Sequence, residues 1–392
     1  MDIDEIIFHW MPHDFKAINR PNTLDEARLV VEKNLEVSCL AINKHNSRYT
    51  FNEILNRRGA CLNRSKNVFF NIRKIIKNNR IDIEDQKFIF HFKGDACSFK
   101  YGFPILANSR NINNPNITLW PLCEKKNIIF HDEINKYLKN PDGLAWENKS
   151  SQFIFRGMNS GNPFSCVQYK WDTERNSRCD LLLEYLKLPE VLKALVDIGF
   201  YRLYPTHLKF YSYKLPDALR AMVSIGLNLL HPNHSRFDFT KNKIHYLENE
   251  FLKNLKDGKT LYDLQSEIEL VVKYIKPPIR MKELLKYKYI FCPEGFDCSS
   301  SLCWVLASNS LAIVPPFHYE NSVISSKRLK PYVHFLPIKE DYSNLGEVIQ
   351  WAINNDGECK EMVRNANNYM RHFINKESML LVQKTIVEKL LC

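Results

Sequence analysis

No stretch of this sequence approaches the roughly 18 consecutive apolar residues of a membrane span, so an integral helical membrane protein is excluded. The first residues, MDIDEIIFHWMPHD, are acidic and lack the basic n-region and long apolar h-region of a secretory signal. Any membrane association is therefore expected to be peripheral, and the chain cytoplasmic. None of the eleven cysteines forms a CxxC pair, and Cys292, Cys298 and Cys303 are not spaced like zinc ligands. Reduced, mostly buried thiols are expected, and no metal site. Neither a GxGxxG nor a Walker loop is present, and no internal repeat or low-complexity segment is visible.

Core-forming material is plentiful. Of 392 residues, 45% are hydrophobic and 12% aromatic, enough for two domains of ordinary size. The net charge of +11 suits nucleic acid, an anionic membrane face or phosphorylated small molecules. Nucleic acid predicts a dense basic stripe or a recognised module. Here the basic residues come in short groups interleaved with apolar ones, such as NIRKIIKNNR (71–80), and read as solvated helix faces.

Periodicity predicts helices at 23–35, with Thr23 as N-cap, and at 64–79, with Val68, Phe69, Ile72, Ile75 and Ile76 on one face. KFIFHFKGD (87–95), FPILANS (103–109) and SQFIFRG (151–157) read as strands. Residues 180–280 read as mostly helical. Beyond Lys286 the alternation is regular: strand 287–292, loop, helix 300–308, strand 311–314, strand 332–338, then helices 343–355, 358–374 and 377–391. Alternating strands and helices predict parallel sheets covered on both faces. Two such regions around a helical middle predict two Rossmann-like domains facing a cleft, with ligands beyond the carboxyl ends of the strands.

The candidate site residues follow those strands. Gly295, Asp297, Ser299, Ser300 and Ser301 lie in a small-residue loop opening a helix, whose free N–H groups and partial positive charge suit a phosphate; the alternative is a plain N-cap and turn. Arg156, before Gly157, and Arg178, entering a helix, are either diphosphate ligands or surface salt bridges. Asp95 either acts as general base on a hydroxyl or caps its turn. Glu320 has the chemistry to accept hydrogen bonds from a sugar or ribose.

Taken together, LKYKYIF, EGFDCSSSLCWVLASNSLAIVPPFHYE and RLKPYVHFLPIKEDYSNLGEVIQWAINND resemble the C-terminal signature of glycosyltransferase family 90. That family includes Rumi-like protein O-glucosyltransferases, capsule xylosyltransferases and bacterial lipopolysaccharide-core enzymes. FRGMNSG (155–161), NSRCDL (176–181) and FIFHFKGD with FPILANSR and LWP resemble its upstream segments, so that the likeness covers roughly 85–375, while 1–80 and about 200–275 carry no placeable motif.

The resemblance implies a GT-B-like α/β fold. Residues 1–148 would form an acceptor-side domain, with a C-terminal helix at 376–392 packing back toward it. Residues 149–375 would form a nucleotide-sugar domain with a helical insert at about 200–275. It implies inverting transfer from a UDP-sugar to a hydroxyl of a glycan or lipid-linked glycan acceptor, in lipopolysaccharide or capsule assembly, with no cofactor and no required metal. Protein O-glycosylation, or donor binding without turnover, are the alternatives. By matching motif, Asp95 would be the base, Arg156 and Arg178 would hold the diphosphate, Gly295 to Ser301 would cradle phosphate and ribose, and Glu320 would orient the nucleotide. Eukaryotic members often carry arginine where this chain has Ser301, so neutralisation would fall on Arg156 and Arg178. A basic surface would suit peripheral contact with an anionic membrane; no nucleic-acid partner is expected.

Overall fold

The structure is a computed structural model that describes residues 2–11, 21–33, 37–45, 48–55, 62–84, 86–92, 105–113, 117–121, 144–158, 177–202, 274, 276–295, 297–373 and 375–391. Its first element is a helix, α1 (Ile3–Trp10), closed by a reciprocal cap in which Glu5 N donates to Asp2 Oδ1 (2.7 Å) and Asp2 N to Glu5 Oε2 (3.2 Å). Thr23 and Glu26 form the same kind of cap on α2 (Leu24–Lys33).

β1 (Val37–His45) and β2 (Arg48–Ile54) form an antiparallel hairpin, and α3 (Leu62–Asn79) follows. β3 (Lys87–Phe92) pairs antiparallel with β1 and parallel with β4 (Ile105–Ala107), which pairs parallel with β6 (Thr118–Leu119). The N-terminal sheet, ordered β2-β1-β3-β4-β6, is thus mixed, whereas the strand–helix alternation predicts parallel pairing throughout. Between β4 and β6, β5 (Ser109–Asn111) leaves this sheet to make a ribbon with β11 (Tyr319–Asn321), near the other end of the chain.

The second sheet is wholly parallel. It contains β7 (Ser150–Met158), β8 (Val196–Arg202), β9 (Tyr287–Phe291), β10 (Leu311–Val314) and β12 (Leu336–Pro337), side by side as β8-β7-β9-β10-β12. Runs such as YIF and LAIV are continuous because both faces are covered. Phe153, Phe155, Ile198, Phe200, Phe291 and Ile313 pack with α4 (Ser177–Lys187) and α8 (Leu345–Asn354). Ile154, Ile290, Ala312 and Val314 face the other way, into a core shared with α7 (Leu302–Leu306), α9 (Asp356–Arg371) and α10 (Lys376–Leu391). That core continues into the N-terminal sheet through Leu40, Ile42, Ile89 and Leu106, and α10 packs on α1, α3 and β3. Short helices α5 (Glu190–Lys193) and α6 (Met281–Leu284) precede β8 and β9. Among the described residues no helix is long and apolar enough to cross a membrane.

Three further sequence expectations are corrected. Residues 196–202, placed in a mostly helical region, form β8, because VDIGFY alternates with Val196, Ile198 and Phe200 inward. The strand expected over 332–338 shrinks to Leu336–Pro337: Tyr332 has φ 59°, its N–H bonds Phe335 O (2.9 Å), and its side chain is 60% exposed. The helix expected at 300–308 is trimmed to Leu302–Leu306 because Ser308 Oγ takes the Val305 carbonyl (2.7 Å) and Asn367 Nδ2 takes those of Leu306 (3.0 Å) and Ser308 (2.8 Å).

Candidate functional site

In chain order the strands of the parallel sheet lie as second, first, third, fourth, fifth. The connection from β7 goes out to β8 on one side, and the chain then returns to β9 on the other. Such a reversal opens a crevice at the carboxyl ends of the two central strands, where open α/β sheets bind ligands. β7 runs out at Arg156–Gly157–Met158, and β9 runs out into Cys292–Pro293–Glu294–Gly295. Ile154 pairs with Ile290, so Arg156 comes level with Cys292. Two segments 136 residues apart in the pairing register thus share one sheet edge.

Arg156 is not loose in that crevice. Its Nη2 lies 2.5 Å from Asp197 Oδ2 on the neighbouring β8, and its Nη1 donates to the carbonyl of Phe155 (2.9 Å). Lys276 approaches from beside β8, its Nζ 2.5 Å from Asp197 Oδ1. Burial alone would raise the Asp197 carboxyl; the bonds from Arg156 and Lys276 outweigh it and hold the group below the usual aspartate range. Two cations around one carboxylate leave the cluster with one net positive charge, and the buried Arg156 Nε has no hydrogen-bond partner. Gly199 makes room for the cluster, since a Cβ there would stand 2.7 Å from Arg156 Nη1 and 2.8 Å from Lys276 Cδ. Gly157 is similarly tight: a Cβ there would meet the Phe155 ring at 2.6 Å, so the ring would have to shift.

The loop after β9 is anchored from below by Glu294. Its buried carboxylate accepts from the His318 backbone N–H (3.0 Å) and ring Nδ1 (3.1 Å) through Oε2, and from Tyr319 N (3.2 Å) through Oε1. Burial pushes this carboxyl above the ordinary glutamate range, with the His318 and Tyr319 donors pulling the other way. His318 Nε2 in turn faces Glu340 Oε1 at 3.5 Å. Since His318 follows β10 and Glu340 follows β12, the chain Glu294–His318–Glu340 ties together the carboxyl ends of three adjacent strands.

Above that anchor the chain turns tightly, with Gly295 N donating to Asp297 O (3.1 Å). Ser299 is buried and its hydroxyl bonds that of Ser301 (2.9 Å), so Ser301 does not cap α7 with its side chain; Ser300 is exposed and Ser301 half-buried. Asp297 is half-buried. Cys292, Cys298 and Cys303 line the underside of the loop as buried thiols, pushed upward by desolvation, the first and last to about 12. They stay protonated at neutral pH and supply no thiolate nucleophile.

Glu320 has a different environment from the one its sequence suggests. It lies opposite Arg110 in the β5–β11 ribbon, 5% exposed, with Oε2 facing Arg110 Nη2 (3.2 Å) and Oε1 accepting from the Ser326 hydroxyl (2.6 Å) and N–H (3.0 Å). Arg110 also donates to the His9 carbonyl (2.8 Å), and His9 Nε2 bonds Asn321 O (2.9 Å). Both Glu320 oxygens therefore have structural partners, and the network fastens α1 to the ribbon.

Arg178 is the second residue of α4, the crossover between β7 and β8. A helix joining two parallel strands returns against them, which puts its first turn at the end where β7 finishes. Asp95 lies outside the described residues, as does all of 203–273. Sequence reasoning missed Asp197, Lys276, His318 and Glu340. Only Asp197 carried a visible signal, as a polar residue inside an alternating apolar run.

Residues 241–385 match the family profile "Glycosyl transferase family 90". The match begins inside the stretch whose sequence carries no placeable motif, and it does not reach Asp95, Arg156 or Arg178. The chain is 29% identical over 116 residues to "O-glucosyltransferase LpsA" of Dichelobacter nodosus, covering 30% of this chain and 36% of that protein. It is 24% identical over 136 residues to "Protein O-glucosyltransferase 1" of Homo sapiens, covering 34% of this chain and 31% of that protein. It is 31% identical over 121 residues to "Uncharacterized protein 179R" of Invertebrate iridescent virus 6, covering 29% of this chain and 10% of that protein. The chain thus matches a third or less of most of these relatives' length. The family resemblance read from the sequence holds over this C-terminal segment.

Proposed function

We propose, from the premise that residues 241–385 are a glycosyltransferase family 90 segment, that this protein transfers a sugar from a UDP-sugar donor to a hydroxyl of a glycan acceptor. One observation carries the site assignment: Arg156 of β7, held by Asp197 of β8 with Lys276 on the same carboxylate, stands level with Cys292, where β9 runs out into the serine-bearing loop. In this reading the two sheets are the two lobes of a GT-B-like enzyme and the donor lies across the edge of the parallel one.

The transfer is inverting and uses no metal. Asp95 accepts the acceptor's hydroxyl proton, the freed oxygen attacks the anomeric carbon from the face opposite the nucleotide, and the bond from that carbon to the UDP oxygen breaks with its electron pair leaving on UDP. Arg156, Lys276 and Arg178 offset the charge that grows on the diphosphate, and the Gly295–Ser301 loop donates to phosphate and ribose. Because Asp197 already holds Arg156 and Lys276 in place, little reorganisation is needed when that charge appears. Glu320 is reassigned from nucleotide orientation to support of the ribbon. The acceptor is a lipid-linked glycan of lipopolysaccharide or capsule, met at the inner face of a membrane.

A second reading, protein O-glucosylation, is favoured by the matches to relatives named protein O-glucosyltransferase 1 and 2, at 24% and 28% identity. A thermal-shift screen against UDP and a set of UDP-sugars tests the donor, because stabilisation follows affinity. UDP and one UDP-sugar should raise the melting temperature, and no shift from any uridine nucleotide at millimolar concentration rejects the donor class. UDP release from that sugar should vanish in Asp95→Asn while the shift persists; retained release removes Asp95 as the base. Comparing lipid-linked glycan with folded protein acceptors separates the two readings.

A further inference from the structure

The helix α3, LNRSKNVFFNIRKIIKNN, contains no carboxylate and five cations: Arg64, Lys66, Arg73, Lys74 and Lys77. In sequence these are interleaved with apolar residues, but a helix sorts them. Val68, Phe69, Ile72, Ile75 and Ile76 are buried against the N-terminal sheet and α10. On the opposite side Lys66, Phe70, Lys74 and Lys77 fall within an arc of about 80° at 100° per residue, and all four are exposed, Phe70 by 37%. Two carboxylates near α3 are already engaged with other cations: Glu53 holds Arg73 at 2.6 Å, and Asp82, just beyond the helix, holds Lys44 at 2.5 Å. The outer line is therefore three lysines with an aromatic ring between them, Lys77 also lying over the Phe51 ring at 5.6 Å.

We propose that this face of α3 docks on an anionic lipid bilayer, with the lysines at the headgroups and Phe70 inserted between them. The proposal deepens the membrane part of the function given above and rests on it. Charge complementarity names the partner, and Phe70 decides its kind. Lysines act as point charges that suit a diffuse anionic surface, whereas a phosphodiester groove favours arginine forks. An exposed phenyl ring gains from the apolar layer just below lipid headgroups.

The test is co-sedimentation of the full chain with phosphatidylcholine vesicles, with and without phosphatidylserine. Binding should require phosphatidylserine and fade as salt is raised. Each lysine near an anionic leaflet is worth about five-fold in partitioning, so Lys66→Ser, Lys74→Ser and Lys77→Ser together should weaken binding about a hundred-fold. The three lysine-to-arginine changes should retain binding, and Phe70→Ser should weaken it several-fold. The melting temperature and any UDP-induced shift should stay unchanged in all of these, because the side chains are exposed and far from the donor loop in sequence and sheet. No binding of the wild type to anionic vesicles overturns both this proposal and the membrane part of the function. Binding that the triple serine variant retains overturns the assignment to α3 alone. Vesicle-independent binding of RNA that the triple variant loses would make the face a nucleic-acid surface and overturn the proposal.

Discussion

Asp197 grips the guanidinium of Arg156 at 2.5 Å across the β7–β8 edge. The pair fixes a cation at the end of a strand whose partner leads into the serine loop, and Lys276 joins from the far side of the same carboxylate. A site of this kind is preorganised for an anion, because its own carboxylate holds two positive charges together before any ligand arrives.

Asp197→Asn should therefore separate stability from binding. Without ligand, two cations are left facing each other and the fold should lose about 1–3 kcal/mol, less than for a wholly buried pair because Asp197 is partly exposed. UDP should then give a larger thermal shift than in wild type, since the cluster has gained one net positive charge. Arg156→Ala should weaken UDP binding by about ten-fold or more, the size of one charge-assisted hydrogen bond. Calorimetric titration with UDP checks both, and an unchanged affinity in Arg156→Ala takes this residue out of the donor site.

The loop's anchor makes a second prediction. His318→Ala removes a ring donor from the buried Glu294 carboxylate and cuts its tie to Glu340, and should cost about 1–3 kcal/mol in unfolding free energy. Donor affinity should fall with it, because Glu294 begins the loop. Adding Glu294→Gln should recover part of that stability, since a neutral amide is less costly to bury than an unpaired carboxylate. Denaturant unfolding of the two single variants and the double variant gives the coupling directly; simple additivity would mean that the two side chains act independently.

A third prediction concerns pH. Burial is the largest influence on His9 and lowers its pKa from 6.5 to about 4; Arg110 and Arg328 push the same way, and Glu320 and the Asn321 carbonyl push back. Between these values the unfolded chain takes up a proton that the native state refuses. The stability linked to neutral His9 is therefore complete above about pH 6.5 and lost as pH falls toward about 4, on the order of 1–2 kcal/mol by about pH 5. Glu320 acts in the same direction at lower pH: burial raises its carboxyl, but the bonds from Ser326 and the charges of His9 and Arg110 bring it below the ordinary range. Melting temperature against pH should fall over this window in wild type and fall less steeply in His9→Gln, with equal slopes refuting the assignment.

Much of the C-terminal half is legible in sequence because its elements are strongly patterned. LAIV between a Ser-Asn-Ser turn and two prolines has few alternatives to a buried strand, and α8 and α9 show clear helical faces. The site's small-residue loop is legible for the same reason: glycine and serine interrupt an apolar run where a strand ends. What stayed hidden is what depends on pairing across the chain. Nothing in VDIGFYR announces that Asp197 will meet an arginine 41 residues earlier and a lysine 79 residues later. Glu320 looked like a ligand-facing acid after a strand, yet β5 leaves its sheet to place Arg110 opposite it. The capping box at Asp2 and Glu5 is readable in the sequence, as two acidic residues three apart around the start of an apolar run.

The last prediction uses a gain rather than a loss. Ser301 stands half-buried at the head of α7, its hydroxyl joined to Ser299 at 2.9 Å, where the resemblance to the eukaryotic members of family 90 would often place an arginine. If the loop faces the diphosphate, Ser301→Arg adds a cation beside two phosphates and should tighten UDP binding by about ten-fold, or about 1.4 kcal/mol. Ser301→Glu should weaken it by a comparable factor, and raising the salt concentration should shrink both effects. The exposed Ser300 next door serves as the control for net charge: Ser300→Arg raises the same total but projects to solvent, and should change affinity less. Titration of UDP into the three variants decides the matter. Equal affinities for Ser301→Arg and Ser301→Glu would place the nucleotide elsewhere on the sheet edge, because no donor diphosphate within reach of this turn could be indifferent to the sign of a charge on it.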